Sequence, residues 1–323
     1  MISTEFFDGQ GLGNQLWTYV ACCSIAEQCK MPHRIINIDK FKGHSFLEID
    51  AGDTSDSETL VTLFNEETFY DPELDYFSSD FDARVLTLKE GTRIRGLFQS
   101  EDYFFGDLSR LKRYVRLKAQ YRDKPFIEDD CCVVYFRGGE YKRHKNLILP
   151  KSYWVQAMRN ITRLHGITNF VAVSDDDPYV RALFPDLPIL PGQMEEDYTA
   201  LYQAKFAIVA NSSWGYFPTK TGVDKTCVIA PLHWARFGNR QGRWASPANL
   251  YQNWLWQDVS GNLSDYEECL SGKRESINHY RHYYNVTTSA DTLSNPGLRR
   301  FIPEKMRKNI KKNLSKFFPK HIG

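Results

Sequence analysis

Hydrophobic and polar positions along the chain predict strands that alternate with helices. In the first 125 residues, apolar runs predict strands at 2–7, 34–38 and 93–98, and apolar residues at helical spacing predict a helix from Leu16. From Cys132 onward the alternation is cleaner. Strands near 132–136, 170–174, 206–210 and 227–231 are separated by predicted helices at 153–164, after Pro178 and at 196–203. This order is typical of a doubly wound parallel sheet, so we expect an α/β fold.

The end of the chain has a different pattern. From Arg299 onward, nine Lys or Arg residues face the single acid Glu304, and apolar residues such as Ile310 and Leu314 recur at helical spacing between them. Residues 297–323 are therefore predicted to form a basic amphipathic tail that contacts an anionic membrane face. The tail could instead be a helix packed on the body with a solvated basic face, or a nucleic-acid patch.

Composition and charge narrow the class of protein. The chain has 323 residues, of which 42% are hydrophobic, which is enough for two cores. Its net charge of +1 divides into +8 on the tail and −7 on the remainder, and the acidic remainder would repel the phosphates of a nucleic acid. We therefore expect no nucleic-acid partner.

The compartment follows from what the chain lacks. It contains no apolar run of about 18 residues, and Glu5 and Asp8 stand where a signal segment would be basic and then apolar. Seven cysteines, including the adjacent pairs at 22–23 and 131–132, form neither a disulfide framework nor a zinc pattern. We expect a cytoplasmic protein with reduced thiols, and the tail would place it at the inner face of the membrane.

The most informative segment is the predicted strand at 133–136, which leads directly into Arg137-Gly138-Gly139-Glu140. Arg137 stands at the carboxyl end of the strand, where it can face a bound anion, and the two glycines allow backbone N–H groups to approach a ligand closely. This arrangement suits a diphosphate. A surface turn with a solvated arginine would have the same local sequence.

Three further segments end predicted strands with polar residues. The first strand is followed by Asp-Gly-Gln-Gly-Leu-Gly-Asn at 8–14 and then by a helix, but no third glycine completes a dinucleotide fingerprint at Gln15 or Leu16. Two later strands end in Ser-Asp-Asp-Asp at 174–177 and in Asn-Ser-Ser at 211–213. Ligands of open α/β sheets bind at the carboxyl ends of strands, so these segments can converge on one nucleotide.

The four segments follow one another in the chain at 8–14, 133–140, 174–177 and 211–213, with residues 95–104 between the first two and residues 228–231 after the last. In this order they resemble the motifs of the α-1,2-fucosyltransferase family, glycosyltransferase family 11. The resemblance covers roughly residues 1 to 240. The family's central motif reads HxRRGDY. Here Tyr135 stands in the place of the histidine, Gly138 in that of the second arginine and Glu140 in that of the aspartate, so the chain resembles a divergent member. The resemblance implies a GT-B fold of two facing Rossmann-like domains, which we place at residues 1–127 on the acceptor side and 128–296 on the nucleotide-sugar side.

The resemblance also implies a reaction. An inverting glycosyltransferase would move L-fucose, or a related 6-deoxyhexose, from a GDP-sugar to a hydroxyl of an oligosaccharide or lipid-linked glycan, in surface polysaccharide or O-antigen assembly and without a metal or other cofactor. Arg137 would hold the diphosphate of GDP-fucose and offset the charge of the departing GDP. Asp175 would accept hydrogen bonds from guanine. The other donor-binding residues would be Gly11, Gly13, Asn14, Tyr135, Asn211, Ser212 and Ser213.

A carboxylate near the acceptor hydroxyl would remove its proton. Glu140, which matches the family's motif acid, is the first candidate, and Asp8 is the second. Glu140 could instead form a salt bridge to Lys142 or Arg143.

The acids at 175–177 allow a structural role as well as a functional one. Asp175 could cap a helix ahead of Pro178, a role that Asp177 could fill equally well. Asp175-x-Asp177 and His279-x-x-His282 mimic metal-binding pairs, but each lacks a third ligand, so we expect no metal site.

Two other functions also fit the sequence: transfer from another nucleotide-sugar donor in the same fold, and glycan binding by a catalytically inactive relative.

Overall fold

The computed structural model describes residues 1–53, 62–71, 73–190 and 192–283. The predicted tail helix at 297–323 lies outside these residues, as does the end of the predicted second domain, so membrane contact stays a prediction. Within the described ranges, no helix combines the length and the apolar character needed to cross a bilayer. All seven cysteines fall inside these ranges as free thiols.

The first half of the described chain holds a parallel sheet, one long helix and two small antiparallel pairs. Its strands and helices are β1 (Ile2–Glu5), β2 (His33–Ile36), β3 (Leu47–Glu48), β4 (Thr62–Asn65), β5 (Thr68–Asp71), β6 (Tyr76–Ser79), β7 (Thr92–Arg95) and β8 (Arg116–Leu117), with α1 (Leu12–Gln28), α2 (Arg110–Tyr114) and α3 (Ala119–Arg122). The sheet has the order β2-β1-β7-β4, and its strands run parallel. β3 pairs with β8, and β5 with β6.

Two features of this half differ from the sequence prediction. Helix α1 begins at Leu12, one turn before the predicted start at Leu16, because the glycine-rich turn ends at Gly11 and leads directly into the helix. The β5–β6 hairpin lies in an acidic stretch for which the sequence predicts no element. Its strands have four residues each, which is too short for a clear period-2 pattern.

The second half is built on a larger sheet. Its elements are β9 (Cys131–Phe136), β10 (Asn169–Ser174), β11 (Phe206–Val209), β12 (Cys227–Pro231), β13 (Leu255–Gln257) and β14 (Leu263–Ser264), with α4 (Lys151–His165), α5 (Asp177–Leu183), α6 (Met194–Gln203), α7 (Tyr216–Thr221) and α8 (Tyr266–Tyr283). The order is β10-β9-β11-β12-β13-β14, parallel except for the last pair. All six residues of β9 are buried, as expected for a central strand covered on both faces.

A continuous aromatic core joins the two halves. Trp17 of α1 packs on Tyr216 of α7 at a ring-centroid distance of 4.3 Å and also contacts Tyr251. Beside this core, the buried Lys220 ammonium lies 2.9 Å from Oε1 of the buried Glu101. The halves are therefore held together by dry packing and by a charge pair that is shielded from water.

The carboxyl ends of both sheets open onto one space between the halves. The predicted α/β class with two facing Rossmann-like halves, the GT-B arrangement, is confirmed. The exact domain boundary at 127/128 stays a prediction.

Candidate active site

One large cavity lies where the two sheets face each other. Its volume is about 1110 Å³, slightly above the range of about 300–1,000 Å³ that is typical of small-molecule sites. The structure brings together on its wall all of the site residues that the sequence predicted: Asp8, Gly11, Gly13, Asn14, Tyr135, Arg137, Glu140, Asp175, Asn211, Ser212 and Ser213.

Arg137 follows the central strand β9 and lies on the cavity wall. Its Nη1 lies 2.7 Å from Oδ2 of Asp175, and its Nη2 lies 3.5 Å from Oε1 of Glu140. The guanidinium stacks over the ring of Tyr141. Its Nε is buried without a hydrogen-bond partner among the described residues. Arg137 is thus fixed in place on one side and keeps donor capacity for a ligand.

Asp175 holds the arginine turn together. Its Oδ1 accepts a hydrogen bond from the backbone N–H of Gly138 at 2.9 Å, while Oδ2 faces Arg137. A Cβ at Gly139 would lie 2.3 Å from that oxygen, so only glycine fits there. Each oxygen has one partner, so Asp175 orients Arg137 in this structure; its predicted contact with guanine stays a prediction.

The predicted helix cap at Asp175 or Asp177 is wrong. The residue that caps α5 is Asp176, whose Oδ1 accepts from the backbone N–H of Tyr179 at 3.1 Å. Asp176 also forms an ion pair with Lys142.

The two candidate bases differ in their surroundings. The Glu140 side chain is 66% exposed and forms a salt bridge with Arg137. The alternative prediction of a salt bridge to Lys142 or Arg143 is therefore wrong, because the cation is a different residue. The Asp8 side chain is 88% exposed and forms an ion pair with Lys40 at 2.8 Å. Glu140 therefore lies beside Arg137, whereas Asp8 lies on the opposite half of the cavity.

The glycine-rich turn places the start of α1 at the cavity. No side chain caps this helix, and its first turn contains no acidic residue. The N-cap Gly11 would have nothing within 4 Å of an added Cβ, whereas a Cβ at Gly13 would lie 2.6 Å from the backbone nitrogen of Trp214. Gly13 is thus required for packing against the second half, and Gly11 faces open space. The start of a helix of 17 residues offers N–H donors and a positive dipole end to an anion.

Polar side chains from the two halves meet at the back of the cavity. Oδ1 of Asn14 accepts hydrogen bonds from Gln99 at 3.0 Å and from the hydroxyl of Ser213 at 3.1 Å. The hydroxyl of Tyr135 donates to Oγ of Ser212 at 3.2 Å. Asn14 therefore reaches across the cleft to the second half, where it contacts Ser213, and its predicted role in donor binding stays a prediction.

Four buried polar atoms on this wall have no hydrogen-bond partner among the described residues. They are Oε1 of Gln10, Nε of Arg137, Oδ1 of Asp197 and Oδ1 of Asn211. Buried polar groups are almost always paired, and groups that lack a partner require an explanation. Water or a polar ligand in the cavity can supply the partners of such groups.

Asp197 is the functional candidate that the sequence prediction missed. It lies in the first turn of α6, is 8% exposed and faces the cavity next to Gly192. Burial, reinforced by Asp177, Glu196 and Asp175, raises its pKa to about 7. In sequence it resembles an ordinary first-turn acid beside two glutamates. Its burial could have been predicted from its position on the helix, because Asp197 lies four residues before the buried Leu201 and therefore on the same face.

The described residues contain no group of three or more His, Cys, Asp or Glu side chains arranged to hold a metal ion. Asp175 is occupied by Arg137, and His279 lies 3.3 Å from Arg243 through its Nδ1. Independence from metals stays a prediction.

The fold and the cavity define an α/β protein with a ligand site between two parallel sheets. No protein-family model and no curated protein sequence matches the chain. The resemblance to the α-1,2-fucosyltransferase family therefore stays a prediction.

Solved structures show distant similarity. The fucosyltransferase NodZ from Bradyrhizobium is 14% identical with a TM-score of 0.41, over 67% of this chain and 91% of that chain. A glycosyl transferase family 9 structure from Veillonella parvula is 11% identical with a TM-score of 0.41, over 86% and 97%. POFUT1 in complex with GDP is 12% identical with a TM-score of 0.39, over 70% and 97%. At this level of similarity, a neighbour's substrate says nothing about the substrate of this chain.

Proposed function

We propose that the protein is a glycosyltransferase that binds a GDP-sugar in this cavity and transfers L-fucose, or a related 6-deoxyhexose, to a glycan hydroxyl. The observation that carries the proposal is the position of Arg137 at the end of the central strand, on the cavity that also receives the uncapped start of α1. An arginine and a helix N-terminus around one cavity suit a diphosphate. The GDP-fucose assignment follows from the order of the sequence motifs.

In this proposal the diphosphate lies between Arg137 and the first turn of α1. Both groups are in place before the reaction, so they stabilise the negative charge that grows on the diphosphate as the bond to the sugar breaks. Asp175 is a positioning residue, because its Oδ2 pairs with the guanidinium while its Oδ1 accepts from the backbone N–H of Gly138 in the arginine turn. The Ser212 hydroxyl lies on the same wall and provides a further donor, whereas the Ser213 hydroxyl donates to Asn14.

We assign recognition of the base to Asp197 in place of Asp175. Asp197 lines the cavity, and its buried Oδ1 lacks a partner among the described residues. A carboxylate there can accept from N1–H and from the exocyclic amine of guanine, a pair of donors that uracil and adenine do not present. Ligand binding would therefore complete a group that the free protein leaves unsatisfied.

Glu140 is the proposed general base. Its carboxylate is 66% exposed on the cavity wall, and rotation away from Arg137 would bring it to an acceptor hydroxyl on the face of the sugar opposite the diphosphate. Attack from the face opposite the diphosphate would invert the anomeric centre.

Calorimetric titration with GDP and UDP tests the proposal. We expect GDP to bind and UDP not to bind. Arg137→Ala should weaken GDP binding by about 1.5–3 kcal/mol, the range for a hydrogen bond to a charged group. Arg137→Lys should lose much of the affinity as well, because lysine cannot donate from a planar fork. Arg159→Ala, an exposed arginine on α4 away from the cavity, is the matched control and should leave affinity unchanged.

The GDP and UDP titrations, together with a titration of a glycan panel, separate this function from its two rivals. Preference for UDP would indicate another donor in the same fold. Absence of nucleotide binding together with binding of glycans would indicate an inactive glycan-binding relative. Unchanged GDP affinity in the Arg137→Ala protein would remove the basis for the diphosphate site.

A further inference from the structure

The β5–β6 hairpin contributes a second, less polar part of the cavity wall. Leu74, Tyr76 and Phe77 line the cavity from this hairpin, and Trp234 lines it from the loop that follows β12. None of the four carries a charge, and all lie outside the diphosphate and base positions proposed above. We call these four residues the aromatic wall.

The hairpin is anchored firmly to the second half. The buried Asp71, at the end of β5, forms an ion pair with Arg236 and accepts from the hydroxyl of Tyr280 at 3.0 Å. At the end of β6, Ser246 Oγ accepts from the backbone N–H of Ser79 and donates to its carbonyl, both at 2.9 Å. Fixed attachment at both strands makes the wall a rigid surface, which lowers the entropy cost of binding a ligand there.

Tyr76 and Trp234 both line the cavity, Tyr76 from the first half of the chain and Trp234 from the second. Trp234 and the preceding His233 both adopt left-handed backbone conformations, with φ of 58° and 70°. That conformation is rare for a bulky residue, and strain of this kind concentrates at binding sites. Trp234 is 2% exposed while Tyr76 is only half-buried, so Tyr76 presents its surface to the cavity.

Charge limits what can bind against this wall. The cavity lining contains five carboxylates, at Asp8, Asp75, Glu140, Asp175 and Asp197, against the two permanent cations Lys42 and Arg137. Asp75 lies within the hairpin turn, next to Tyr76, and accepts from the Tyr70 hydroxyl at 2.6 Å. The diphosphate would take up Arg137. A second anion near the hairpin would therefore be repelled by the negative charge of Asp75.

We propose that the aromatic wall is the acceptor subsite and takes an uncharged pyranose, with the apolar face of the sugar ring against Tyr76. This inference rests on the proposed GDP-sugar transfer and adds the class of acceptor. An aromatic side chain contacts the C–H face of a pyranose with little loss of conformational entropy, and Asp75 rejects sugars that carry a carboxylate.

Saturation-transfer NMR titrations in the presence of saturating GDP test this inference with matched sugar pairs. The probes are methyl β-D-galactopyranoside with methyl β-D-galacturonide, and methyl β-D-glucopyranoside with methyl β-D-glucuronide. We expect at least one neutral sugar to bind, and its uronic-acid counterpart to bind at least tenfold more weakly. Asp75→Asn should narrow that ratio to less than threefold.

Variants of Tyr76 test whether the neutral sugar binds against the aromatic wall. Tyr76→Ala should weaken binding of the neutral sugar at least tenfold, and Tyr76→Phe less than threefold, because the ring is retained. Tyr114→Ala, on α2 and outside the cavity lining, is the matched control. A separate GDP titration of each variant reports whether the donor site is intact.

The outcomes are distinguishable. Equal binding of neutral and acidic sugars, equal losses in Tyr76→Ala and Tyr76→Phe, or no pyranoside binding by a protein that binds GDP would each overturn the acceptor subsite while leaving the donor site. Absence of GDP binding in the unmodified protein would instead overturn the proposed function.

Discussion

Replacing Asp197 by asparagine should stabilise the free protein at pH 8 and weaken its affinity for GDP. Burial raises the Asp197 pKa from 3.8 to about 7. The folded state therefore holds a proton between about pH 4 and 7 that the unfolded state has released. The stabilising contribution of that proton is complete below about pH 4 and is lost as the pH rises through about 7. Above this window the protein contains a buried, ionised carboxylate.

The size of the effect follows from the shift. About three pKa units at 1.36 kcal/mol each correspond to roughly 4 kcal/mol, which is an upper limit because the asparagine amide also needs partners. At roughly 2.1 cal/mol/K of unfolding entropy per residue, a chain of this length changes its Tm by about 1.5 °C per kcal/mol, which gives up to about 6 °C. The gain should shrink as the pH falls below about 7 and should disappear below about pH 4, where Asp197 is protonated in both the folded and the unfolded state.

Scanning calorimetry of the wild type and Asp197→Asn from pH 5 to 8 measures this difference, with Glu195→Gln on the same helical turn as the control. In parallel, GDP titrations should show wild-type affinity falling by up to about tenfold per pH unit below 7, because guanine needs the ionised carboxylate. Guanosine serves as a second ligand, since it lacks the phosphates that also titrate. The Asn variant should bind both ligands more weakly and with a flatter pH profile.

Two results would refute this reasoning. If the wild type and the variant lose stability in parallel between pH 5 and 8, Asp197 does not titrate in this window. If Asp197→Asn binds GDP as well as the wild type at pH 8, the carboxylate does not contact the base. Ligand binding would then no longer explain why the protein keeps a buried acid that lowers its stability.

Three further predictions concern the chemistry and the cleft. Glu140→Gln should lower turnover by at least about a hundredfold with GDP affinity nearly unchanged, as expected for a general base; near-normal turnover would direct attention to Asp8. Transfer should persist in excess EDTA, because Arg137 and the start of α1 supply the positive potential; activity lost on chelation and restored by Mn²⁺ would contradict this. Gly13→Ala should destabilise the protein by about 1–3 kcal/mol in urea unfolding, because its Cβ would lie 2.6 Å from the Trp214 backbone. Gly11→Ala, which faces open space, should change stability little, and equal losses in the two variants would count against a packing role for Gly13.

The sequence determined the α/β class and the positions of most strands, because buried parallel strands require continuous apolar runs and the helices between them require a 3.6-residue period. It also predicts that Arg137, Asp175 and Ser212 lie close together, because the carboxyl ends of parallel strands lie at one edge of a sheet.

Tertiary structure alone decided what those residues contact. Asp175 pairs with Arg137, Asp176 caps α5, and Asn14 reaches Ser213 across the cleft. The buried carboxylate of Asp197 and the Tyr76 surface also appear only when distant segments pack together. Local periodicity reports which face of an element is buried, but hydrogen-bond partners and pKa shifts depend on groups that are remote in sequence and become neighbours only in the folded chain.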